Sequence, residues 1–237
     1  MKRALVAALL IVAAIPLLSI VAELPPHAAP DSPAYTHVSA HYLEHGAEEA
    51  GAENIVTDVI LNYRGFDTNG EVTVIFTALA AVLAILLLPS EERVEERPAP
   101  AMPVSMVVRF VVRLLAPFIA LFAVYVIMNG HVTPGGGFQG GTILGALVIA
   151  LTIVLGEDEA HRLLPRPARP WLQAAAPLTF VVIGIAGIAV VGSYLGFPAE
   201  EPWQWVRTAW LVILEIGIGV GGGAIIGTLF WTMEAER

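Results

Sequence analysis

The sequence contains no cysteine and only one lysine, Lys2. The missing cysteine excludes disulfides, thiolate zinc sites and cysteine-ligated iron–sulfur clusters within this chain. The six histidines lie outside the centres of the long apolar blocks, which argues against a haem held between membrane helices. The glycine run Gly135–Gly137 lacks the Gly-Lys-Ser/Thr ending of a phosphate loop, and no basic nucleic-acid patch or catalytic triad is present. We therefore expect no resident cofactor or metal, no nucleic-acid partner and no enzymatic activity.

Charge is also scarce. Only 14% of the residues are charged, against ~25% in a typical soluble domain. The sequence instead contains six apolar blocks. A bilayer core needs roughly 20 apolar residues per spanning helix. The fourth block is short unless its helix starts back at Gln139 or Gly140. The blocks are Ala4–Ala22, Val72–Leu88, Met106–Met128, Thr142–Leu155, Ala174–Tyr194 and Val206–Met233. The sequence predicts an all-α membrane protein of about six transmembrane helices.

The basic residues predict the orientation. With the N-terminus in the cytoplasm, ten of the 12 lie on the cytoplasmic side and only Arg64 and Arg207 lie outside. That asymmetry is the one expected from the positive-inside rule for an even number of spans. We expect a multi-pass protein of the cell (inner) membrane with both termini cytoplasmic. The alternative is that residues 1–22 form a cleaved signal peptide, but the apolar stretch is long for one and the cleavage pair is poor.

A charged, proline-rich stretch at Ser90–Pro103 divides the chain. We expect a two-helix module at residues 1–89, a cytoplasmic linker at 90–105 and a four-helix module at 106–237. In the first module His37, His41 and His45 recur every four residues. Metal binding by this stripe is conceivable, but a surface helix with solvated side chains is the preferred interpretation.

Three segments place ionisable groups or glycine runs in or next to the apolar blocks. The first is 54–71, where Asp58, Arg64, Asp67 and Glu71 precede a span and are expensive at the bilayer edge unless paired or hydrated. Arg64 can pair with Asp67 across the Gly65-Phe66 turn. These residues suggest an ion entrance. Thr68 to Glu71 also fits a capping box that starts a helix, so capping and transport remain alternatives for Glu71.

The second segment is 129–145, which combines His131 and Pro134 with a glycine run at a helix–loop–helix turn. Small residues four apart let membrane helices pack closely, and packing is the default interpretation. The alternative is a broken helix that lines a hydrated path, with His131 titrating near neutrality. The glycines concerned are Gly135, Gly136, Gly137, Gly140, Gly141 and Gly145.

The third segment is the last block, which carries Glu215 followed by a stripe of Gly219, Gly223 and Gly227. A carboxylate near the middle of a membrane costs on the order of 3 kcal/mol. Glu215 must therefore face a partner or water, or be protonated, and we favour a functional or subunit-interface role. Arg109 and Arg113 enter the third block at its end, where arginines usually snorkel to the interface.

Residues 54–88, with their run from Asn62 to Glu71, resemble the two-helix C-terminal end of the large A-type chain of Mrp-type multisubunit Na+/H+ antiporters. A similar module is a separate small protein in membrane-bound hydrogenases. The Gly130-His131 and Pro134-to-Gly141 signature, with the late Glu215-x-Gly217-Ile218-Gly219 stretch, resembles the four-helix B-type chain of the same antiporters. The chain is thus similar to a fusion of both modules.

This resemblance implies other Mrp-type subunits as partners, among them complex I-like subunits that carry the proton channels. It also implies exchange of Na+ for H+, with a role in pH and sodium homeostasis, and a transport role for the acid at Glu71 with Asp67 and Arg64 beside it. Those antiporter-type channels depend on membrane-buried lysines, which this chain lacks, so it should not pump alone. Two alternatives stay open: the membrane arm of a redox-driven, complex I-like ion pump, and a purely structural scaffold.

Overall fold

The computed structural model describes residues 2–27, 29–86, 104–200 and 202–234, and all of their regular structure is helical. The predicted all-α fold is therefore confirmed. The chain divides into two units, Met1–Glu44 and His45–Arg237. Apart from its last two residues, the predicted linker at 90–105 lies outside the described residues.

The first unit consists of an apolar helix and short pieces that follow it. Helix α1 (Lys2–Ala22) is long and apolar enough to cross a membrane, and none of its span is buried within the chain. Helix α2 (Pro33–Thr36) is a single turn. Helix α3 (Val38–Glu49) begins in this unit and ends in the next, and it agrees with the helix expected around the histidine stripe.

The second unit opens with an irregular region before its first long helix. Helix α4 (Ile55–Thr57) runs into a π-helical turn, Asp58–Tyr63, and helix α5 (Gly65–Leu86) follows. Helix α5 thus starts seven residues before the predicted block. The Thr68 hydroxyl lies inside it and donates to the carbonyl of Ile60 at 2.5 Å. The predicted capping box at Thr68 is wrong, because α5 begins at Gly65 and Thr68 therefore lies inside the helix, where its hydroxyl donates to a carbonyl of the preceding turn.

Four long helices complete this unit. They are α6 (Met106–Met128), α7 (Gly137–Leu155), α10 (Ala175–Val191) and α11 (Gln204–Glu234), with the short α8 (Glu157–Leu163) and α9 (Arg169–Gln173) between α7 and α10. Among the described residues, five helices meet the length and apolarity of a span, and α10 has 17 apolar residues, about the shortest that can cross. Helix α10 ends earlier than predicted because Gly192 adopts φ 86°.

Helices α7 and α11 pack in close contact and run in the same direction. A Cβ added to Gly141 would lie 2.7 Å from the carbonyl oxygen of Gly219, so the backbones themselves touch. Further along, the Trp231 indole donates to the Thr152 hydroxyl at 2.9 Å. Glycine at both positions permits this approach, as in other membrane helix pairs.

The direction of the helices defines two ends of the second unit. The loop 129–136, the segment 192–200 and the first turns of α5 and α11 lie together at one end, where the Phe66 and Tyr194 rings meet edge to face with centroids 6.5 Å apart. We call this the loop end. Helices α8 and α9 lie at the opposite end, where the Arg169 guanidinium lies 3.9 Å over the Trp231 ring.

Candidate functional site: a buried carboxylate at the start of helix α7

Helix α7 begins in an unusual backbone conformation that fixes where its first amide points. Gly136 is the N-cap residue, with φ 127°, a region that L side chains rarely adopt. Its N–H donates to the carbonyl of Val126 at 3.1 Å, which ties the loop to the last turn of α6. The first amides of a helix lack partners within the helix and carry the positive end of its dipole. The start of α7 is therefore built to receive an acceptor.

That acceptor is Glu215, the twelfth residue of α11. Its side chain is 2% exposed, although it lies roughly 16 Å along the helix from Gln204. One carboxylate oxygen, Oε2, accepts a hydrogen bond from the Gly137 N–H. The other, Oε1, lies 3.2 Å from the hydroxyl of Thr57. A carboxylate placed at this helix end is stabilised by the dipole and the free amide.

Glycines surround the carboxylate of Glu215, and the space beside it is too small for a side chain. A Cβ added to Gly130 would lie 2.9 Å from Oε1 of Glu215, and one added to Gly136 would lie 3.0 Å from Oε2. Both distances are shorter than ordinary van der Waals contact. The glycine run thus closes around Glu215 as well as packing helices.

A segment before α5 seals the site from the other side. Asn54 donates through its amide nitrogen to the carbonyls of Gly130 at 2.7 Å and Thr133 at 3.0 Å. The N–H groups of Glu53 and Asn54 both donate to the carbonyl of His131, at 2.9 and 3.1 Å. The Thr57 hydroxyl also lies 2.7 Å from the carbonyl of Gly130. Hydrogen bonds therefore hold residues 53–57 against the loop that precedes α7.

Two further charged groups lie buried beside this segment. Asp58 is 1% exposed and accepts a hydrogen bond from the Ala52 N–H at 3.0 Å. Burial raises its pKa to about 6, while that hydrogen bond and the charge of Arg207 act in the opposite direction. Arg207, in the first turn of α11, donates to the carbonyls of Glu48 at 3.1 Å and Glu49 at 2.7 Å. It thereby satisfies the carbonyl end of α3.

Two family models match this sequence, one for each of the two segments that form the site. The family model described as "Domain related to MnhB subunit of Na+/H+ antiporter" matches residues 107–231, more than half of the chain. This chain belongs to that family. A second family model, MbhE, which describes the E-type chain of MBH, matches residues 6–99. Thr57 lies in the second match and Glu215 in the first, so the site joins the two family segments.

Solved structures with this fold come from large membrane complexes. A chain of the membrane-bound sulfane sulfur reductase, an archaeal respiratory membrane complex, is 32% identical, with a TM-score of 0.67 over 96% of this chain and 98% of that chain. A chain of the Mrp complex from Dietzia sp. DQ12-45-1b is 26% identical, with a TM-score of 0.65 over 96% of this chain and 25% of that chain. This MnhB-related chain is therefore a multi-pass membrane subunit of the cation-antiporter type.

A relative from Rhizobium meliloti is named for a different cation. It is described as a probable K(+)/H(+) antiporter protein of the combined A/B type, and it is 27% identical over 124 residues, which is 44% of this chain. The match covers only 12% of that longer protein. Because the ion in its name differs from the one in the family description, the family alone does not fix which cation is carried.

The structure brings together only some of the residues that the sequence singled out. Glu215 and the glycines of 130–137 meet in the site, and His131 joins it through its backbone carbonyl. Arg64 and Asp67 form an ion pair of 2.5 Å on the exposed surface, and Glu71 is exposed on α5. These three do not contact Glu215. They present charge on the outside of α5, where lipid or a partner chain would lie.

Sequence reasoning missed Asn54, Thr57 and Arg207. Asn54 is a good N-cap residue and accepts from the Val56 N–H, but its amide also bonds a loop 76 and 79 residues away. Arg207 entered the sequence reasoning only as a basic residue outside the membrane, and the structure shows that it is 5% exposed. Such burial depends on the carbonyls of another helix, so composition and spacing carry no signal for it.

The chemistry available here is that of one carboxylate. Among the described residues there is no group of three His, Cys, Asp or Glu side chains that could hold a metal ion. Glu215 can gain or lose one proton, or pair with one monovalent cation, within a cage of amides and a hydroxyl. A buried ionisable group in a membrane helix is a candidate for ion transport in general.

Proposed function

We propose that this chain is one component of a multisubunit monovalent cation/proton antiporter of the cell membrane, with Na+ as the cation and Glu215 on the ion path. The observation that carries the proposal is the contact between Thr57 and Glu215, which assembles one buried acidic site from both family segments. A scaffold needs only a hydrogen-bond acceptor in this position, which a neutral side chain could supply without the cost of a buried charge. The chain's own role is transport and assembly, not catalysis.

The proposed orientation places both termini in the cytoplasm and the loop end outside. Support comes from the arginines of the end opposite to the loop end. Arg109 and Arg113 lie exposed near the start of α6, and Arg162, Arg166 and Arg169 lie in or between α8 and α9. Basic residues concentrate on the cytoplasmic side of membrane proteins.

The partners we propose are other Mrp-type subunits, including complex I-like subunits that carry proton channels. Two features support the need for partners. Helix α1 has none of its apolar span buried within the chain. Arg64, which precedes α5, and Asp67 and Glu71 on α5 are also exposed.

A second candidate function is favoured by one comparison. The match to the sulfane sulfur reductase complex covers nearly all of both chains, whereas the match to the Mrp complex covers a quarter of a larger chain. The alternative is therefore a component of the ion-translocating membrane arm of a redox-driven complex, beside an oxidoreductase. In that case the same acidic site would serve ion movement, and a partner would hold the redox centres.

One preparation separates these functions. The native complex is purified through a tag on this chain, its chains are identified, and it is reconstituted in sealed vesicles. For the antiporter we expect no redox protein, and a Na+ gradient should change the internal pH whereas a choline gradient should not. Parallel K+ and Li+ gradients establish the selectivity. Co-purifying iron–sulfur or nickel proteins would support the redox arm instead.

The role of Glu215 is tested in the same vesicles. Glu215→Gln keeps the shape of the side chain and removes its titration, so cation-dependent proton flux should fall to near background. The matched control is Glu234→Gln, an exposed acid on the same helix. Unchanged flux in an assembled Glu215→Gln complex would remove Glu215 from the ion path, and unchanged flux in Glu71→Gln as well would leave the scaffold role.

A further inference from the structure

A cleft of about 420 Å³ with both polar and apolar walls lies at the loop end. The beginning of α11 and the turn after α3 form its walls together with the loop before α7. Its lining includes Ala52, Glu53, His131, Gln204, Arg207 and Thr208. A water molecule occupies ~30 Å³ in the liquid, so the cleft has room for several.

The walls of the cleft carry buried polar atoms that have no hydrogen-bond partner among the described residues. They are Nδ1 of His131 and Nε of Arg207, and Oδ2 of the neighbouring Asp58 is a third. Leaving such an atom unsatisfied costs ~1–3 kcal/mol. Buried polar groups are normally satisfied by protein or by ordered water. Water suits donors and acceptors alike, and two of the three atoms belong to residues that line the cleft.

The cleft and Glu215 share the same two backbone segments. Ala52 and Glu53 line the cleft and Thr57 follows them in the chain, while His131 lines the cleft and Gly130 precedes it. The Thr57 hydroxyl has one hydrogen and two acceptors in reach, the Gly130 carbonyl at 2.7 Å and Oε1 of Glu215 at 3.2 Å. It can therefore donate to an ionised Glu215, and turn to Gly130 when Glu215 carries a proton.

We propose that this cleft is a water-filled vestibule through which protons reach Glu215, and that the Thr57 hydroxyl is the last link. Thr57 is 1% exposed and does not itself line the cleft, so water from the vestibule has to pass residue 53 to reach it. A hydronium ion that arrives there gives its proton to the Thr57 oxygen, and the original hydroxyl proton passes to Oε1 of Glu215. Neutral water, an intact hydroxyl and a neutral carboxyl remain, so the step balances. This proposal rests on the proposed transport function.

The cleft offers a metal cation no group of three His, Cys, Asp or Glu side chains among the described residues. Arg207 and Glu53 both line it, so the wall has no net charge that would concentrate Na+. Asp58 lies behind Ala52, and the His131 ring faces the same space from the loop. A metal cation would also need several oxygen ligands at once, whereas a proton needs only a continuous line of hydrogen bonds.

The absence of cysteine makes water access directly measurable in this chain. Single cysteines are introduced at Ala52 in the cleft wall, at Thr57 behind it, at Leu79 in the apolar core and at Leu121 on the exposed apolar face of α6. The assembled complex in sealed membranes is treated with a small, charged, membrane-impermeant thiosulfonate. The chain is then isolated in denaturant, and the remaining free thiols are counted by mass shift.

We expect A52C and T57C to react with reagent added outside and not with reagent added inside, with A52C the faster. L79C and L121C should not react from either side, because a thiol needs water to ionise and react. If T57C reacts no faster than L79C, or only from the inside, the vestibule proposal is overturned. Because labelling reports water access whatever ion is transported, its outcome is independent of the flux test of the proposed function.

The role of the Thr57 hydroxyl needs a separate readout. Thr57→Ser keeps the hydroxyl and should retain most of the flux. Thr57→Val keeps the shape and should reduce proton flux by at least about tenfold, which is less than the roughly 10²–10⁴-fold that a positioned proton donor typically contributes. The cation concentration for half-maximal flux should stay the same in both. Equal flux in an assembled Thr57→Val complex, or a changed half-maximal concentration with normal flux, would exclude the hydroxyl as the link.

Discussion

The carboxylate of Glu215 accepts a hydrogen bond from the backbone N–H of Gly137, the first residue of α7. This contact places a carboxylate of helix α11 at the positive, N-terminal end of helix α7. It also explains why irregular backbone is tolerated beside a buried acid, since loops at membrane depth are stable only when protein or water satisfies their polar groups. Here the loop 129–136 is satisfied by Asn54, Thr57 and the backbone of residue 53.

Gly136 should not tolerate a side chain. Gly136→Ala places a Cβ 3.0 Å from Oε2 of Glu215 at a φ of 127°, which should cost about 1–3 kcal/mol of stability. The matched control is Gly222→Ala in α11, where an added Cβ meets nothing within 4 Å and helix propensity can gain up to ~1 kcal/mol. Thermal unfolding of the purified complex should show a lower midpoint for the first variant only. Equal midpoints would mean that the loop relaxes freely.

The broad architecture could be predicted from the sequence because apolar blocks and glycine spacing are local properties. Helix α6 has the predicted bounds, and the last block is helical throughout. The site could be predicted only in part. Glu215 stands out as an acid in an apolar block, but its partners Gly137 and Thr57 lie 78 and 158 residues away. Partners at that distance are set by helix packing, which residue spacing does not encode.

The same reason explains the errors around α5. Thr68 to Glu71 match the residues of a capping box. The π-helical turn before them nevertheless extends the helical path, and a carbonyl of that turn accepts the hydrogen bond from the Thr68 hydroxyl. A π-helical turn adds a residue without any distinctive composition. The burial of Arg207 likewise depends on where the end of α3 lies, which its own surroundings in the sequence do not reveal.

Arg207 should hold the end of α3 in place. Arg207→Met keeps much of the apolar stem and removes both donors to Glu48 and Glu49. Hydrogen bonds from charged groups contribute about 1.5–3 kcal/mol, so amide hydrogen exchange in peptides covering residues 45–53 should become at least about tenfold faster. Arg109→Met, at an exposed arginine, is the control. Unaltered exchange at 45–53 in the Arg207 variant would contradict this role.

Asp58 should make stability depend on pH. Burial raises its pKa from 3.8 to about 6 in the folded chain, so the folded state binds this proton more tightly than the unfolded state. The folded state should therefore gain stability as the pH falls from 7 towards 4, with little further change from this group below that. The gain should be at most about 3 kcal/mol.

The control for this pH dependence is Asp58→Asn, which cannot titrate and should flatten the profile. Other acids titrate over the same range, so the informative quantity is the difference between the two profiles of thermal midpoint against pH. A difference that does not vary between pH 4 and 7 would mean that Asp58 keeps an ordinary pKa. If the thermal midpoint of the native chain rises with pH relative to that of Asp58→Asn, folding lowers the pKa of Asp58, and the expected pH dependence is contradicted.

The exposed charges on α5 should matter for the complex and not for the fold of this chain. Arg64 and Asp67 are more than half exposed, and an exposed pair stabilises by at most about 1 kcal/mol. Asp67→Asn should therefore leave the thermal midpoint of the complex nearly unchanged.

Glu71 lies one helical turn further along α5 and is also exposed. If a partner chain covers this face and the ion passes there, Glu71→Gln should lower cation-dependent proton flux without changing stability, and Glu71→Asp should restore much of it. Normal flux with Gln at this position, in a complex that contains all its chains, would restrict the ion path of this protein to Glu215.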